Sequence, residues 1–223
     1  MAVHLQREIG NLKKRMLGLC ALVEDDLRLA VQAVDRRDPA LARQVIEKDR
    51  LVDHDEVSIE EECLKLLALH QPVANDLRFI IAVLKLNNDL ERIGDLAVNI
   101  AERALFLSSQ VRLDMPYNFS GIAEKTQAML HQSIDALINL DADLARKVGI
   151  ADDEVDTINR EAFQRVTAMI KAHPDELDSL IALLSVSRYL ERVADHASNI
   201  AEDVLYLVEG RIVRHQHKSL SRG

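Results

Sequence analysis

Carboxylates four residues apart are the feature of this sequence best suited to chemistry. Residues at i and i+4 of a helix lie on one face, one turn apart. Four acidic pairs have this spacing: Asp49 with Asp53, Glu91 with Asp95, Asp152 with Asp156, and Glu191 with Asp195. Like charges so placed cost an isolated helix ~0.2–0.5 kcal/mol per pair. A cation, a neighbouring arginine or solvent is therefore expected to offset the repulsion.

One interpretation of these pairs is a metal site. If adjacent antiparallel helices bring two pairs together, four carboxylates surround one or more divalent ions. Hard oxygen ligands suit Mg, Ca or Mn, and clustered carboxylates also bridge Fe or Zn. Four further oxygen ligands are predicted one and two turns beyond the aspartates: Asn99, Asn199, Glu102 and Glu202.

The alternative interpretation places these carboxylates on the wet faces of amphipathic helices. Arg92 and Arg192 would then form surface ion pairs, each worth ~1 kcal/mol or less. Charged residues usually face water, which favours this interpretation for any single pair. Because four pairs occupy matching places in the chain, both interpretations stay open.

Other familiar catalytic arrangements are missing from the sequence. No Glu-x-x-His occurs at any of the 8 histidines, although ferritin-like di-iron bundles rely on that motif. There is no Gly-rich loop to cradle a nucleotide phosphate and no recognisable Ser-His-Asp or Cys-His set. His196, beside Asp195, is interpreted as a helix-surface histidine, since a lone histidine carries no site signature.

The elements that position the acidic pairs are two copies of one unit. The segment 90–102, LERIGDLAVNIAE, recurs at 190–202 as LERVADHASNIAE. Upstream, LARQV at 41–45 with its following aspartates recurs as LARKV at 144–148. The two blocks keep their order and approximate spacing, which indicates a tandem duplication.

Prolines and apolar spacing divide each copy into three helices. Pro39 follows Asp38, a good N-cap, and Pro72 and Pro174 interrupt the two copies at corresponding places. Between such breaks the apolar residues keep three- and four-residue steps. We predict an all-α protein with six long helices near 4–36, 39–69, 75–108, 119–140, 142–171 and 175–209. They form a first antiparallel three-helix bundle in 1–110, a second in 117–210, and a basic tail in 211–223.

Composition excludes several function classes. The net charge of −9 argues against nucleic-acid binding, which depends on Lys and Arg. No apolar run approaches the ~18 residues of a membrane span. The short apolar run 16–23 is followed by three acidic residues, which is unlike a signal peptide. Cys20 and Cys63 are expected to be buried thiols of a reducing compartment. We therefore expect a cytoplasmic protein.

Two blocks, Leu90–Asp95 (LERIGD) and Leu190–Asp195 (LERVAD), resemble the paired signature of the PhoU family. Gln71-Pro72 followed by Asp76-Leu77-Arg78, and the segment 45–49 (VIEKD), resemble it too. The resemblance extends from about residue 8 to 210 and includes chain length and repeat order. The chain departs from the family pattern at Ala194, where the motif usually carries Gly, and an extra methyl there is expected to hold a neighbouring backbone slightly farther away.

This resemblance implies two three-helix bundles, a homodimer and a non-enzymatic role. Family members repress the phosphate-starvation response and couple the ATPase subunit of the phosphate ABC transporter to a phosphate-sensing histidine kinase. Membrane association would then occur only peripherally, through these partners. The family's metal motif maps onto the four acidic pairs, where some relatives hold iron or zinc and others have no metal. The alternative function is a metal-dependent hydrolase or oxidase, which would need an open coordination position.

Overall fold

The protein, described here from a computed structural model, consists of long α-helices. The structure describes residues 2–210, with side chains from His4 onward, so the predicted basic tail lies outside the described residues. The six helices are α1 (Ala2–Arg36), α2 (Pro39–His70), α3 (Ala74–Ser108), α4 (Phe119–Asn139), α5 (Ala142–Ala172) and α6 (Leu177–Glu209). Residues 2–210 contain no strand. The predicted all-α duplication is confirmed.

Helix α6 begins at Leu177, two residues later than predicted. A single 3-10 turn, Pro174–Glu176, precedes this helix. Pro174 has no N–H, and the side chain of His173 does not cap the turn. Instead the Glu176 N–H donates to the carbonyl of His173 at 3.1 Å, an i to i+3 bond that is typical of a 3-10 turn.

In both repeats an aspartate caps the N-terminus of the second helix. Asp38 accepts hydrogen bonds from the N–H groups of residues 40 and 41, at 2.8 and 3.3 Å. Asp141 does the same for residues 143 and 144, at 2.9 and 3.0 Å. The preceding residues, Arg37 and Leu140, both adopt the left-handed conformation that commonly ends a helix. These caps fix where α2 and α5 begin, and so fix the register of their carboxylates.

Within each repeat the helices pack as an antiparallel three-helix bundle, and the two bundles pack on each other. The joint is made mainly by α3 and α6, with a smaller contact between α1 and α4. Buried aliphatic side chains form one continuous core through both repeats. Polar links that cross the α3–α6 joint include Lys85 Nζ to Asp203 Oδ1 at 3.2 Å and His196 Nδ1 to Asp89 Oδ1 at 2.8 Å.

The two repeats differ most in their first helices. Helix α1 has 35 residues and α4 has 21, so the first half of α1 has no counterpart in the second repeat. The start of α6 is covered instead by the segment before α4. The hydroxyl of Tyr117, which is buried there, donates to the carbonyl of Leu183 at 2.7 Å.

Both cysteines lie in the core, as the sequence predicts. Cys20 and Cys63 are buried free thiols, and burial raises the pKa of each to about 12. They therefore stay protonated and act as small apolar core residues.

Over residues 2–210, none of the helices combines the length and the apolar character that a bilayer crossing requires.

Candidate functional site

The acidic pairs of the first repeat lie side by side on α2 and α3. Because these helices are antiparallel neighbours, Asp49 lies beside Asp95, and Asp53 beside Glu91. We call Asp49, Asp53, Glu91 and Asp95 the first acidic cluster. The structure thus brings together two pairs that lie about 40 residues apart in the sequence.

Gly94 sets how closely the two helices approach at this point. A Cβ added to Gly94 would lie 3.0 Å from Cγ1 of Val52, which is fully buried between the two aspartates of α2. The atom closest to this added Cβ belongs to a side chain and not to the backbone. Glycine here lets α2 and α3 pack tightly directly beneath the carboxylates.

Carboxylates of the first acidic cluster disfavour one another's charge. Partial burial raises the pKa of Asp49 to about 6, and the negative charges of Asp53, Asp95 and Asp26 add to this effect. Burial, followed by Asp95, also raises the pKa of Glu91. The site therefore holds more negative charge than its surroundings neutralise.

Arg92 offsets part of this charge. Its Nε lies 3.4 Å from Oε2 of Glu91, and its Nη1 lies 3.4 Å from Oδ2 of Asp95. The arginine side chain is half exposed, so each of these ion pairs contributes ~1 kcal/mol or less. The predicted surface ion pairs are thus present at Arg92, but they leave the pKa of Glu91 raised.

The second repeat builds the same arrangement on α5 and α6. We call Asp152, Asp156, Glu191 and Asp195 the second acidic cluster. Burial raises the pKa of Asp152 to about 7, with further contributions from Asp195 and then Asp156. Burial, then Asp195 and Asp156, also raises the pKa of Glu191. Ala194, the departure from the family pattern, is fully buried in this repeat.

The four additional predicted ligands have different surroundings. Asn199 donates to Oδ1 of Asp89 at 3.3 Å, so its amide contributes to the α3–α6 joint. Glu102 is exposed, and its Oε2 lies 3.7 Å from Nη2 of Arg103. Asn99 and Glu202 are half-buried further along α3 and α6. His196, predicted to lie on the helix surface, is instead half-buried and bonds through Nδ1 to Asp89, because it lies at the α3–α6 joint.

The two acidic clusters match a metal ion in donor type and charge but not in the present orientation of their side chains. The donors are all carboxylates, which suit hard cations, and their raised pKa values mark charge that a cation would neutralise. Within residues 2–210, however, no three His, Cys, Asp or Glu side chains converge closely enough to hold one ion as they stand. The clusters therefore fit a cation by charge and donor type, and ligation requires their side chains to turn inward.

Sequence reasoning missed an acid behind the first acidic cluster. Asp26 is only 2% exposed, and burial raises its pKa. Lys48 partly offsets its charge, with Nζ 3.4 Å from Asp26 and 2.9 Å from Asp25. Asp26 lies between Val23 and Leu27 on the buried face of α1, so an acid within an apolar stripe was the signal that could have revealed it.

A second missed feature links the middle and last helices of each bundle. The Asn87 amide donates to the backbone carbonyl of Glu56 at 2.9 Å. At the equivalent place in the second repeat, the Ser187 hydroxyl donates to Oδ1 of Asn159 at 2.9 Å. These bonds lie one turn beyond the carboxylates and fix the register of the helices that carry them.

Comparison with known proteins identifies the family. A sequence model of the PhoU domain matches residues 16–104 and 119–204, one match for each repeat. The chain belongs to the PhoU family. The "phosphate-specific transport system accessory protein PhoU homolog 1" of Thermotoga maritima is 32% identical over 222 residues, covering 99% of this chain and 96% of that protein. The "phosphate-specific transport system accessory protein PhoU homolog" of Pseudomonas aeruginosa is 38% identical over 209 residues, covering 93% of this chain and 86% of that protein.

Solved structures of PhoU proteins have the same fold. The crystal structure of PhoU from Pseudomonas aeruginosa superposes with a TM-score of 0.89 at 36% identity, covering 92% of this chain and 99% of that one. The phosphate transport system regulatory protein PhoU from Streptococcus pneumoniae gives a TM-score of 0.81 at 28% identity, with 94% and 99% covered. The likeness extends over both bundles and supports a general role in phosphate-specific transport.

Proposed function

We propose that this chain is a cytoplasmic, non-enzymatic repressor of the phosphate-starvation response. It acts as an adaptor between the ATPase subunit of the phosphate ABC transporter and a phosphate-sensing histidine kinase. The observation that carries the proposal is the full-length similarity to accessory and regulatory proteins of phosphate transport. The chain works as a homodimer in this proposal and meets the membrane only through its partners.

The acidic clusters are the surfaces that we assign to this regulation. Both repeats retain four carboxylates at matching positions, although burial, and then their mutual repulsion, raises the pKa values of Asp49, Glu91, Asp152 and Glu191. A feature that opposes stability in both repeats is expected to have a functional role.

Metal binding at the clusters is part of the proposal. Asp49, Asp53, Glu91 and Asp95 would hold one metal centre, and Asp152, Asp156, Glu191 and Asp195 a second. A bound iron, zinc, manganese or magnesium ion would neutralise the carboxylates and hold neighbouring helices together. Asn99, Asn199, Glu102 and Glu202 would complete the coordination where side-chain rotation brings them near.

Equilibrium dialysis of the full chain against Mn, Fe, Zn and Mg tests the metal proposal. Wild-type protein is expected to bind at least one of these ions, and a variant carrying Asp152→Asn and Asp195→Asn to lose the second centre. Glu47→Gln, which removes an exposed carboxylate from α2, is the matched control and should bind as wild type does. Absence of binding by wild-type protein would overturn this part of the proposal.

The regulatory proposal is tested with the same residues in cells. Wild-type gene should restore a low phosphate-starvation reporter signal to a deletion strain in phosphate-rich medium. Replacement of Glu91, Asp95, Glu191 and Asp195 by alanine should abolish this repression, whereas Glu47→Gln should preserve it. Full repression by the folded quadruple variant would show that the acidic clusters do not carry the activity.

A hydrolase is the second candidate, because one observation favours it. A carboxyl group with a pKa of about 7, as at Asp152, has the acidity of a general base that works near neutral pH. Incubation of metal-loaded protein with p-nitrophenyl phosphate distinguishes the two candidates. The regulator is expected to show no turnover, whereas hydrolysis that Asp152→Asn abolishes would favour the enzyme.

A further inference from the structure

A groove lies at one end of the molecule, away from both acidic clusters. It encloses about 410 Å³ between the first half of α1, the first half of α3 and the last turns of α4 and α6. Met16, Phe79, Val83 and Leu86 supply apolar lining, and elements of both repeats meet there. This volume is within the usual range of ligand pockets, ~300–1,000 Å³.

The groove depends on the part of α1 that α4 lacks. The PhoU domain match begins at residue 16, so Gln6, Ile9 and Lys13 line the groove from outside the matched region. From Gln6 to Leu17 the wall is about 16 Å long, at 1.5 Å per residue. A helix of about three turns therefore matches the length of the groove.

Apolar side chains at the groove remain open to solvent. Leu17 is 39% exposed, Ile138 52%, Leu140 54% and Val208 43%, and all four line the groove. Single exposed leucines need no explanation, but a contiguous apolar rim of this kind marks a contact surface. Because these four side chains line the groove and are still 39–54% exposed, the rim suits a protein segment better than an enclosed small molecule.

Two cations give the groove its charge. Lys13 Nζ lies 5.1 Å from the centre of the Phe79 ring, and the Arg78 guanidinium lies 6.0 Å from the centre of the Tyr206 ring. Across residues 2–210, neither cation forms an ion pair with a carboxylate. The groove also contains one acid, Asp76, which accepts hydrogen bonds from the Gln6 amide at 3.1 and 3.2 Å. The lining is thus net positive in a chain whose net charge is −9.

We propose that this groove docks an acidic amphipathic helix of a partner protein. The apolar face of that helix would rest on Leu17, Ile138 and Val208, and its flanking carboxylates would meet Lys13 and Arg78. The chain's own tail is a poorer occupant, since Arg211, Arg214, Lys218 and Arg222 carry the same charge as the groove. A second copy that met this groove through its own groove would bring two net-positive linings together, so it is also a poorer occupant. The groove and its test do not depend on the phosphate role.

Two synthetic peptides of about 14 residues test the proposal with the full chain. Both place leucines at i, i+3, i+4 and i+7, and they carry either glutamates or lysines on the flanks. Fluorescence anisotropy should show that wild-type protein binds the glutamate peptide at least tenfold more tightly than the lysine peptide. The double variant Lys13→Glu, Arg78→Glu should reverse this preference. Lys14→Glu removes a neighbouring exposed cation that does not line the groove, and it should behave as wild type does.

Substitution of the apolar rim gives an independent measurement. Leu17→Ser with Ile138→Ser should weaken binding of the glutamate peptide at least tenfold while leaving the unfolding curve nearly unchanged, because both residues are partly exposed. Failure of wild type to bind the glutamate peptide, equal binding of both peptides, or an unaltered preference in the charge-reversed variant would overturn the proposal. So would self-association through this face, detected by sedimentation and lost in the serine variant, because the occupant would then be a second copy. A normal reporter response alongside any of these results would leave the regulatory proposal standing.

Discussion

Replacing Asp152 by asparagine should stabilise this protein at neutral pH. Burial and its acidic neighbours raise the pKa of Asp152 from 3.8 to about 7 in the folded chain. The folded state therefore binds this proton more tightly than the unfolded state does. Consequently the free energy of unfolding falls as the pH rises from about 4 towards 7, and stays lower above that window.

The size of the effect follows from the change in pKa. One pKa unit corresponds to about 1.4 kcal/mol, so a rise from 3.8 to about 7 sets an upper bound of ~4 kcal/mol. Partial exposure of the side chain lets solvent screen the charge, which reduces the expected value to ~2 kcal/mol. Asp152→Asn removes the ionisable group and should recover this amount at about pH 8, with little gain at about pH 4.

Urea unfolding followed by far-UV circular dichroism measures the effect. The free energies of unfolding of wild type and variant are measured at both pH values in buffer that contains a chelator, so that metal ions do not contribute. Glu47→Gln, at an exposed carboxylate, should differ from wild type by less than ~0.5 kcal/mol at both pH values. The reasoning is refuted if Asp152→Asn destabilises the protein at pH 8, or if its effect is the same at both pH values.

Three further substitutions test the helix packing around the clusters, each by urea unfolding. Ala194→Gly should cost about 1 kcal/mol, the intrinsic helix penalty of glycine; no loss would mean that the methyl is strained. Asn87→Ala removes the bond to the Glu56 carbonyl and should cost about 1 kcal/mol, with Asn87→Asp unable to restore it because an aspartate cannot donate. Lys85→Ala leaves the buried Asp203 without its lysine and should cost ~2 kcal/mol, whereas Lys85→Arg should retain most of the stability; equal losses in both variants would contradict an ionic role.

Much of the fold could be predicted because its signals are local. Caps such as Asp38 and breaks such as Pro72 act within a few residues, and the apolar period marks which face of each helix is buried. The pairing of α2 with α3 followed from the acidic residues and the repeat. The packing of α3 against α6 did not, because Lys85 and Asp203 are 118 residues apart and neither matches a motif.

The sequence indicated which carboxylates share a helix face, but not how far burial raises their pKa values. The i and i+4 spacing identified Asp49, Asp53 and their equivalents, and helix geometry then places them on one face. How far burial raises a pKa depends on neighbours from several helices, such as Asp26 on α1 beside Asp49 on α2. That contact is set by tertiary packing, which the spacing of residues along one helix does not report.

The most direct test of the central claim is reporter expression in a strain that lacks this gene. In phosphate-rich medium the account predicts a high phosphate-starvation signal in the deletion strain and a low signal once the wild-type gene is restored. A deletion strain with an unchanged low signal would contradict the claim that this chain represses the phosphate-starvation response.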